Sequence, residues 1–404
     1  MNPHLEQLQP YPFERLNTLL ADITPPENLS SIALSLGEPR HAAPDFIIDK
    51  YIDRESITTA FGTYPPTAGL PELRGAIVDF VNRRFKLGDI RLDPNRQVLP
   101  VNGTREALFA FAQTIVGNKQ ESTTIMPNPF YQIYEGAALL AGSDPVYVPC
   151  VEATNFAPDF SKVSEKQWQA CELVYICTPG NPTGNVMTIP RMQELIALSD
   201  KYDFVIASDE CYSEIYADEH YPPPGLLEAA ADMGRHDFKN CMVFNSLSKR
   251  SNLPGLRSGF VCGNAELIGK FLLYRTYHGS AMSVHNQWAS IAAWQDEQHV
   301  IANRELYRQK YDAVMNILEP VWPMRRPEAS FYLWPETPID DQRFARALFA
   351  DQNIKVLPGS YLSRDANGFN PGANHVRMAL VASLDACMEA AERLKTFMQN
   401  KGYE

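Results

Sequence analysis

The sequence lacks the features that mark several large classes of protein. No run approaches the roughly 18 apolar residues that cross a bilayer, and residues 1–16 lack the basic and then apolar pattern of a signal peptide. The formal net charge is −12 without a long basic stripe, so we expect neither nucleic acid nor a membrane as a partner. The sequence has no internal repeat. It also has no G-x-G-x-x-G after a strand and no P-loop, so two common nucleotide-binding motifs are absent.

Cysteine and histidine occur without the spacings that bind metals or form redox pairs. The chain has 7 Cys and 8 His, but no C-x-x-C and no H-E-x-x-H, so we expect no metal site. Most cysteines lie inside apolar runs, as Cys171, Cys177, Cys241 and Cys262 do. Scattered thiols of this kind are typical of reduced, packed side chains, and we therefore predict a cytoplasmic location.

Length and apolar pattern predict an α/β protein with two domains. A chain of 404 residues is long enough for two domains of the usual size. We predict an irregular Pro-rich arm at 1–45, which contributes to the small domain and to contacts between subunits. A large domain at 46–285 and a linking helix with a smaller α+β domain at 286–404 follow, with the long helical region at about 284–319.

Short apolar runs alternate with helical stretches through the predicted large domain. Several of these runs are almost continuously apolar, as buried parallel strands are, so we predict a mostly parallel seven-stranded sheet between helices. The predicted strands are 97–101, 123–126, 145–148, 172–177, 203–208, 241–246 and 258–263, and the predicted helices are 71–85, 104–116, 130–141, 190–201 and 223–231.

One lysine stands among small polar residues where a predicted strand ends. Lys249 follows Ser246 closely, and Arg257 comes eight positions after the lysine. A desolvated lysine can act as a nucleophile, and serines with an arginine suit a phosphate. The combination favours a binding site for pyridoxal 5′-phosphate (PLP), with Lys249 bonded to the aldehyde of the cofactor. Taken alone, the pattern is more typical of a surface turn with an exposed lysine.

Two further motifs begin helices directly after strands. Gly103 and Thr104 precede a helix whose free N–H groups suit a phosphate, although an ordinary helix start explains them equally well. Tyr131 lies in Pro-Asn-Pro-Phe-Tyr, where an aromatic ring could stack on a flat cofactor or simply pack in the core. Ligands bind beyond the carboxyl ends of parallel strands, which is where these motifs fall.

Three polar side chains suit the other atoms of such a cofactor. The loop at 178–184 has two Gly and two Pro that hold out the amide of Asn181, a donor for a phenolic oxygen. Asp209 ends an apolar strand and needs a cationic partner there, such as a protonated pyridine nitrogen, unless it only caps a helix. Tyr212 follows three positions later. Arg377 lies in an apolar run and suits either a substrate carboxylate or a structural salt bridge.

In this order the motifs resemble those of fold-type I PLP-dependent aminotransferases of classes I and II. The match covers about 36–380 and includes S-L-G-E-P, T-P-G-N-P-T-G, S-D-E-C-Y, S-L-S-K and N-H-V-R. The resemblance implies that Lys249 bonds to PLP and then moves a proton between the substrate Cα and the cofactor. For the cofactor, it implies Asp209 at the pyridine nitrogen, Asn181 and Tyr212 at the phenolic oxygen, Tyr131 stacked on the ring, and Thr104, Arg105, Ser246 and Arg257 at the phosphate, with Gly103 in the turn. For the substrate, it implies Arg377 and Gly37 at the α-carboxylate. It also implies a homodimer with shared active sites, in which Tyr64 reaches the phosphate of the neighbouring subunit.

Within that group, the stretches 10–14, 253–260 and 274–283 resemble the bacterial N-succinyldiaminopimelate aminotransferases of lysine biosynthesis. Such a substrate carries several carboxylates, so a second cationic subsite is expected, with Arg275 and Arg105 as candidates. The residues leave open an aspartate or alanine aminotransferase and a β-eliminating lyase. A PLP-binding sensor attached to a DNA-binding module is disfavoured, because the chain is acidic and shows no helix-turn-helix region.

Overall fold

The computed structural model describes residues 1–403. Strands β1–β12 are Ile32–Ala33, Val98–Val101, Thr123–Asn128, Asp144–Pro149, Cys171–Cys177, Val205–Asp209, Cys241–Ser246, Gly259–Gly263, Tyr332–Leu333, Ile354–Lys355, Leu357–Pro358 and Val376–Ala379. Helices α1–α15 are Pro12–Leu20, Asp45–Ile52, Arg54–Phe61, Pro71–Arg84, Thr104–Ile115, Ile133–Leu140, Glu165–Ala170, Ile189–Tyr202, Leu226–Asp232, Leu247–Arg250, Ala265–His278, Val284–Gln295, Gln298–Leu318, Asp341–Gln352 and Leu384–Lys401.

A seven-stranded sheet forms the centre of the molecule, with strand order β2-β8-β7-β6-β5-β3-β4. Strand β8 runs antiparallel to β2 and β7, and the other neighbouring pairs are parallel. The prediction of a mostly parallel seven-stranded sheet is therefore confirmed, and each strand lies within two residues of its predicted bounds.

Aromatic side chains fill the two layers between this sheet and the helices that cover it. On one face, Phe80 of α4 lies with its ring centroid 4.8 Å from that of Trp294 on α12. On the other face, Phe111 of α5 contacts Phe244 of β7 and Phe271 of α11, with centroids 5.3 and 5.4 Å away. Because both faces are covered, the central strands are apolar almost throughout.

A second core lies around short strands and the three helices nearest the C-terminus. Strands β11, β12 and β9 form an antiparallel sheet, and β10 pairs in parallel with β1 of the N-terminal arm. Ile32 and Leu34 from the arm are buried here with Leu318, Phe344 and Phe397. The polypeptide therefore passes from the arm into the second core before it builds the large sheet.

Several helices differ from the pattern that the sequence predicts. Helices α2, α3 and α11 were not predicted, and α6 begins three residues late because the N–H of Phe130 bonds to the carbonyl of Leu362 instead. The long helical region is broken into α12 and α13. Asp296 has an extended backbone there, and its carboxylate accepts the N–H of His299, so it starts α13 anew.

A membrane-spanning helix and a metal site are two features that the sequence does not predict. Within residues 1–403, no helix combines the length and apolar character needed to cross a membrane. Over the same part of the chain, no group of three or more His, Cys, Asp or Glu side chains is placed to hold a metal ion.

Candidate active site

A cavity of about 420 Å³ opens beyond the carboxyl ends of β5, β6 and β7. Parallel strands present these ends at one edge of the sheet, so the loops after them meet there although they are far apart in sequence. The cavity is lined by 11 of the 13 side chains and glycines that the sequence predicts: Gly37, Thr104, Arg105, Tyr131, Asn181, Asp209, Tyr212, Ser246, Lys249, Arg257 and Arg377.

The single turn of α10 places the side chain of Lys249 in the cavity. Ser246 begins this turn, and its hydroxyl accepts the N–H of Ser248 at 3.1 Å. The Nζ of Lys249 donates to the carbonyl oxygen of Gly37 at 2.6 Å. Burial lowers the pKa of Lys249 from 10.5 to about 8, and the positive charges of Arg377 and Arg257 also disfavour the ammonium form. Near neutral pH the unprotonated, nucleophilic amine is therefore far more populated than it would be in an exposed lysine.

Asp209 is a buried carboxylate at the end of β6. Its Oδ2 accepts the hydroxyl of Tyr134 at 2.7 Å, and its Oδ1 accepts the N–H of Cys211 at 3.3 Å. Burial raises the pKa of Asp209, while these hydrogen bonds oppose the rise. Within residues 1–403 it makes no ion pair, and so the cavity offers a strong acceptor to a cationic N–H group.

A cradle of donors lies where α5 begins. Gly103 precedes the helix with φ 84°, and no side chain caps the first N–H groups. A Cβ at Gly103 would lie 2.2 Å from Nη2 of Arg257, so glycine is required for the guanidinium to approach. Arg257 donates to the carbonyls of Pro254 and Asn102 at 2.8 and 3.3 Å. Together with the hydroxyls of Thr104 and Ser246, the set is suited to a phosphate.

Arg377 lies across the cavity, 4% exposed, over the ring of Tyr332 at 4.5 Å. Its Nη1 donates to Oδ1 of Asn181 at 3.0 Å and its Nη2 donates to the carbonyl of Ser35 at 2.8 Å. The Nε atom is buried without a hydrogen-bond partner in the described chain. Unused donor hydrogens on a buried guanidinium are what bidentate capture of a carboxylate requires.

The phenol groups near these side chains are partly engaged with one another. The hydroxyl of Tyr212 lies 2.9 Å from that of Tyr332, and both side chains are buried. Because Asn181 gives its carbonyl oxygen to Arg377, its amide N–H₂ stays directed to other acceptors. The expected pair of Asn181 and Tyr212 is therefore brought to one side of the cavity, next to Arg377.

The guanidinium of Arg105 lies between Tyr131 and the N-terminal arm. Its Nε donates to the hydroxyl of Tyr131 at 2.7 Å, and its Nη2 donates to the hydroxyl of Tyr11 at 3.1 Å. The stretch 10–14 thus covers one side of the cavity, where Tyr11 and Phe13 line it. The position of the guanidinium differs from the expected one at the phosphate cradle.

Two predicted residues lie outside the cavity lining, and a third candidate does not reach it. Gly103 stands directly behind Arg257, as described above, whereas the side chain of Tyr64 is 98% exposed in a loop, so its role between subunits stays a prediction. Arg275 is fully buried, with two hydrogen bonds to Glu106 at 2.7 and 2.8 Å. Because that carboxylate neutralises it, the proposal of Arg275 for a second substrate carboxylate was wrong.

Several residues of the cavity were missed in the sequence. Tyr332 lies under Arg377, Tyr134 holds Asp209, and Cys211 has its sulfur 3.1 Å from the hydroxyl of Thr104. Tyr332 lies in an apolar stretch near the second core, and nothing in its sequence context distinguishes it from a core aromatic. Tyr134 was visible as a neighbour of Tyr131, three positions on, and helical spacing was its only signal.

The residues present fit PLP. The cradle with Arg257 suits its phosphate, a buried carboxylate without an ion-pair partner in residues 1–403 suits its pyridine nitrogen, and a lysine of lowered pKa suits its aldehyde. These groups all border one cavity, which also contains an arginine with unused donors for a carboxylate. The arrangement can therefore hold an aromatic phosphate and an amino acid side by side.

Known proteins resemble this chain over nearly its full length. An aminotransferase from Neisseria meningitidis is 48% identical with a TM-score of 0.93, covering 98% of this chain and 100% of that one. Aminotransferase AspB from Helicobacter pylori is 36% identical with a TM-score of 0.89, covering 97% and 99%. An LL-diaminopimelate aminotransferase from Halothermothrix orenii is 31% identical, covering 97% of each chain. The family model described as aminotransferase class I and II matches residues 30–394, and the chain belongs to this PLP-dependent family.

Proposed function

We propose that this aminotransferase moves an amino group between glutamate and N-succinyl-2-amino-6-oxopimelate, giving 2-oxoglutarate and N-succinyl-LL-2,6-diaminopimelate in lysine biosynthesis. The observation that carries the proposal is the charge of the cavity. Three guanidinium groups line it, those of Arg105, Arg257 and Arg377, and among residues 1–403 none of them forms an ion pair. A cofactor phosphate, an α-carboxylate and a further carboxylate would take one each.

The residues around the cofactor have separable tasks in this proposal. When bound, PLP supplies an electron-accepting ring that takes up the electron pair released when the substrate Cα–H bond breaks. Asp209 keeps a proton on the pyridine nitrogen, which sustains that electron demand. The amine of Lys249 would hold the aldehyde and, when free, would move a proton at its Nζ between the substrate Cα and the cofactor. The donors at Thr104 and Ser246, with Arg257, anchor the phosphate.

Other side chains of the cavity fix the plane and charge of the ring. The amide N–H₂ of Asn181 and the hydroxyl of Tyr212 donate to the phenolic oxygen and favour its ionised form. Tyr131 stacks on the ring, and Gly103 leaves room for Arg257.

Arg377 is proposed to bind the α-carboxylate of both substrates. Its Nε and its remaining hydrogens are unused, and its position is held by Asn181, Ser35 and the ring of Tyr332. The backbone N–H of Gly37 lies in the same wall and is offered to the same carboxylate. A fixed fork of donors selects α-amino acids by geometry as well as by charge.

Arg105 is proposed to bind a distal carboxylate of the succinylated substrate. Its guanidinium is held by the phenols of Tyr131 and Tyr11, which orient it without neutralising its charge. Its backbone N–H remains at the start of α5, where it can contribute to the phosphate cradle. The arm residues beside it, including Phe13, provide apolar surface for the long carbon chain.

A second candidate is direct transamination of LL-diaminopimelate without the succinyl group. The specific observation that favours it is the relative named LL-diaminopimelate aminotransferase, 31% identical over 97% of this chain. That substrate has a free ammonium group where the other has a succinyl carboxylate. The charge of Arg105 distinguishes them, because a guanidinium attracts the carboxylate and repels the ammonium group.

We also propose that the protein is a cytoplasmic homodimer in which Tyr64 reaches the phosphate of the neighbouring subunit. Phe61 and Tyr64 are 76% and 98% exposed, and such aromatic surface is typical of a protein interface. Mixing a Lys249→Ala chain with a Tyr64→Phe chain would test the sharing of sites. Recovery of activity above either variant alone supports it, and no recovery opposes it.

The substrate is tested by the visible absorption of the protein reconstituted with PLP. The band of the lysine-bound cofactor should bleach with glutamate and with N-succinyl-LL-diaminopimelate, return with 2-oxoglutarate, and respond far less to LL-diaminopimelate. A higher kcat/KM with LL-diaminopimelate would favour the second candidate. If neither donor bleaches the band while aspartate or alanine does, or if a β-substituted amino acid yields ammonia and pyruvate, both candidates fail.

Arg105→Gln tests the distal subsite. Loss of one charged hydrogen-bonded pair should lower kcat/KM for the succinylated donor by about 10–100-fold, with a small effect on glutamate saturation. Arg191→Gln is the matched control, because the side chain of Arg191 is 42% exposed on α8 and, among residues 1–403, forms an ion pair with Glu194 alone. Equal effects of Arg105→Gln on the succinylated and unsuccinylated donors would oppose the assignment.

A further inference from the structure

A buried asparagine on α13 holds the backbone around Lys249. Asn303 is 4% exposed, and its amide makes all four hydrogen bonds that the group allows. Its Nδ2 donates to the carbonyls of Lys249 and Arg250 at 3.3 and 3.4 Å. Its Oδ1 accepts from Nδ1 of His41 and from Nδ2 of Asn252, both at 2.7 Å.

The two carbonyls that Asn303 binds are the last of helix α10. The end of a helix leaves its carbonyl groups without intrahelical partners, and α10 has only one turn. The amide of Asn303 therefore replaces the helical bonds that a longer helix would supply. Its orientation sets the direction of the peptide groups from which the side chain of Lys249 projects.

His41 fixes the orientation of that amide. Its Nε2 lies 2.5 Å from Nζ of Lys310. Burial lowers the pKa of Lys310 to about 8, so at neutral pH it is still mainly an ammonium group, which can only donate to the ring nitrogen. The ring hydrogen is then on Nδ1 and is donated to Oδ1 of Asn303. A reversed amide would place its N–H₂ against two donors and its oxygen against two carbonyls. The ring of Tyr307 packs on His41 with centroids 4.6 Å apart.

The loop that carries His41 also contacts the other end of the lysine. Gly37, four positions earlier, accepts the Nζ of Lys249 at 2.6 Å, and Ser35 accepts from Arg377. One loop between β1 and α2 therefore contacts Lys249 at both ends. Gly37 binds its amine directly, and His41 binds its carbonyl through Asn303. This loop is in turn fastened to α13 by His41 and Lys310.

We propose that His41 and Asn303 act together as positioning residues for Lys249. They lie outside the cavity lining and do not touch the substrate, so their effect is on the direction and reach of the amine. The inference rests on the proposed role of Lys249 as the group that holds the cofactor and moves the proton. A small error in placing such a group costs rate more than substrate binding.

Two substitutions of His41 separate its two hydrogen bonds. The amide nitrogen of His41→Asn reaches the place of Nδ1 and keeps the bond to Asn303, whereas the amide oxygen of His41→Gln reaches the place of Nε2 and keeps the bond from Lys310. We expect His41→Gln to lower kcat about tenfold with KM within about twofold, and to shift the pH midpoint of the visible cofactor band. His41→Asn should stay within about twofold of the parent in kcat and keep the parent midpoint.

Asn303→Asp provides a second, isosteric test because an ionised aspartate cannot donate to the two carbonyls. It should shift the midpoint of the cofactor band in the same sense as His41→Gln. Thermal unfolding of the cofactor-free proteins identifies variants that lose activity only because they unfold. The inference would be overturned, and the proposed function left standing, if the two His41 variants had the same kcat and pH midpoint. The same would follow if His41→Gln and Asn303→Asp both kept the pH midpoint of the parent. Absence of a visible band in the reconstituted parent would overturn the role of Lys249 and this inference with it.

Discussion

Replacing Gly37 with alanine should impair substrate binding by displacing a tyrosine that the chain cannot easily move. A Cβ at this position would lie 2.0 Å from Oη and 2.8 Å from Cζ of Tyr332. Tyr332 is 2% exposed, and the open space beside its ring is the cavity that it lines, so a displaced ring would enter the place of the substrate. The alanine therefore forces either the ring or the loop at 35–41 to shift.

The size of the effect follows from what Tyr332 holds. Overpacking of a buried site costs about 1–3 kcal/mol of stability. The shift also takes the ring from beneath Arg377, 4.5 Å away, and weakens the 2.9 Å hydrogen bond to Tyr212. These contacts are worth about 1–2 kcal/mol in transition-state binding, so kcat/KM for glutamate should fall about 5–30-fold, mainly through KM.

Steady-state kinetics with glutamate, together with thermal unfolding, would test this prediction. Gly75→Ala is the matched control, because a Cβ at Gly75 in α4 meets nothing within 4 Å and alanine favours a helix. Adding Tyr332→Phe to Gly37→Ala removes the atom of closest approach and should recover part of the lost stability. Parent values of KM and unfolding temperature in Gly37→Ala would refute the idea that Tyr332 seats Arg377.

Three further predictions concern single charged groups. Lys249→Met should abolish the visible cofactor band and, in the cofactor-free protein at pH 7, raise stability by about 3 kcal/mol, because the buried amine has its pKa lowered from 10.5 to about 8. Between pH 8 and 10.5 the unfolded chain keeps the lysine proton that the folded chain has lost, so the stability advantage of Lys249→Met should vanish across this window. A difference in unfolding temperature that does not change with pH would contradict this prediction. Arg377→Lys should raise KM for both substrates about tenfold or more, since one ammonium group cannot reproduce the fork, and an unchanged KM would make Arg377 structural. Asp209→Ala should weaken PLP binding by about 10–100-fold in a spectroscopic titration, and parent affinity would show that the buried carboxylate has no cationic partner there.

The sheet could be predicted from the sequence because burial on both faces leaves a direct record in residue type. Strand β7, for example, is buried at every position and reads as a continuous apolar run until Asn245. Helix α11 was missed because its buried residues, such as Ile268 and Phe271, are few and the rest of its surface mixes polar and apolar side chains. The break before α13 is accompanied by two contacts of the Asp296 carboxylate, with the N–H and the Nδ1 of His299, and apolar periodicity does not reveal them.

The residues of the candidate site were predicted better than their contacts. Lys249, Asp209 and Asn181 follow strands directly, so their positions at one edge of the sheet were implied by the fold. What each side chain touches depends on residues that come from distant parts of the chain. Tyr332 and Tyr11 approach the cavity from the second core and from the N-terminal arm. No local motif marks Tyr332, and the stretch 10–14 was noted for its resemblance without a predicted place in the cavity.

The contrast between Arg105 and Arg275 shows why the substrate is harder to infer than the reaction. Both arginines were candidates for a second carboxylate, and the residue that separates them is Glu106 on α5. Successive residues of a helix point about 100° apart, so Arg105 faces the cavity while Glu106 faces α11 and neutralises Arg275. The pairing removes one cation and leaves Arg105, which we propose meets the substrate. Under that proposal, specificity depends on which arginine has no carboxylate partner in residues 1–403, a property of packing between helices that the motifs of the family do not encode.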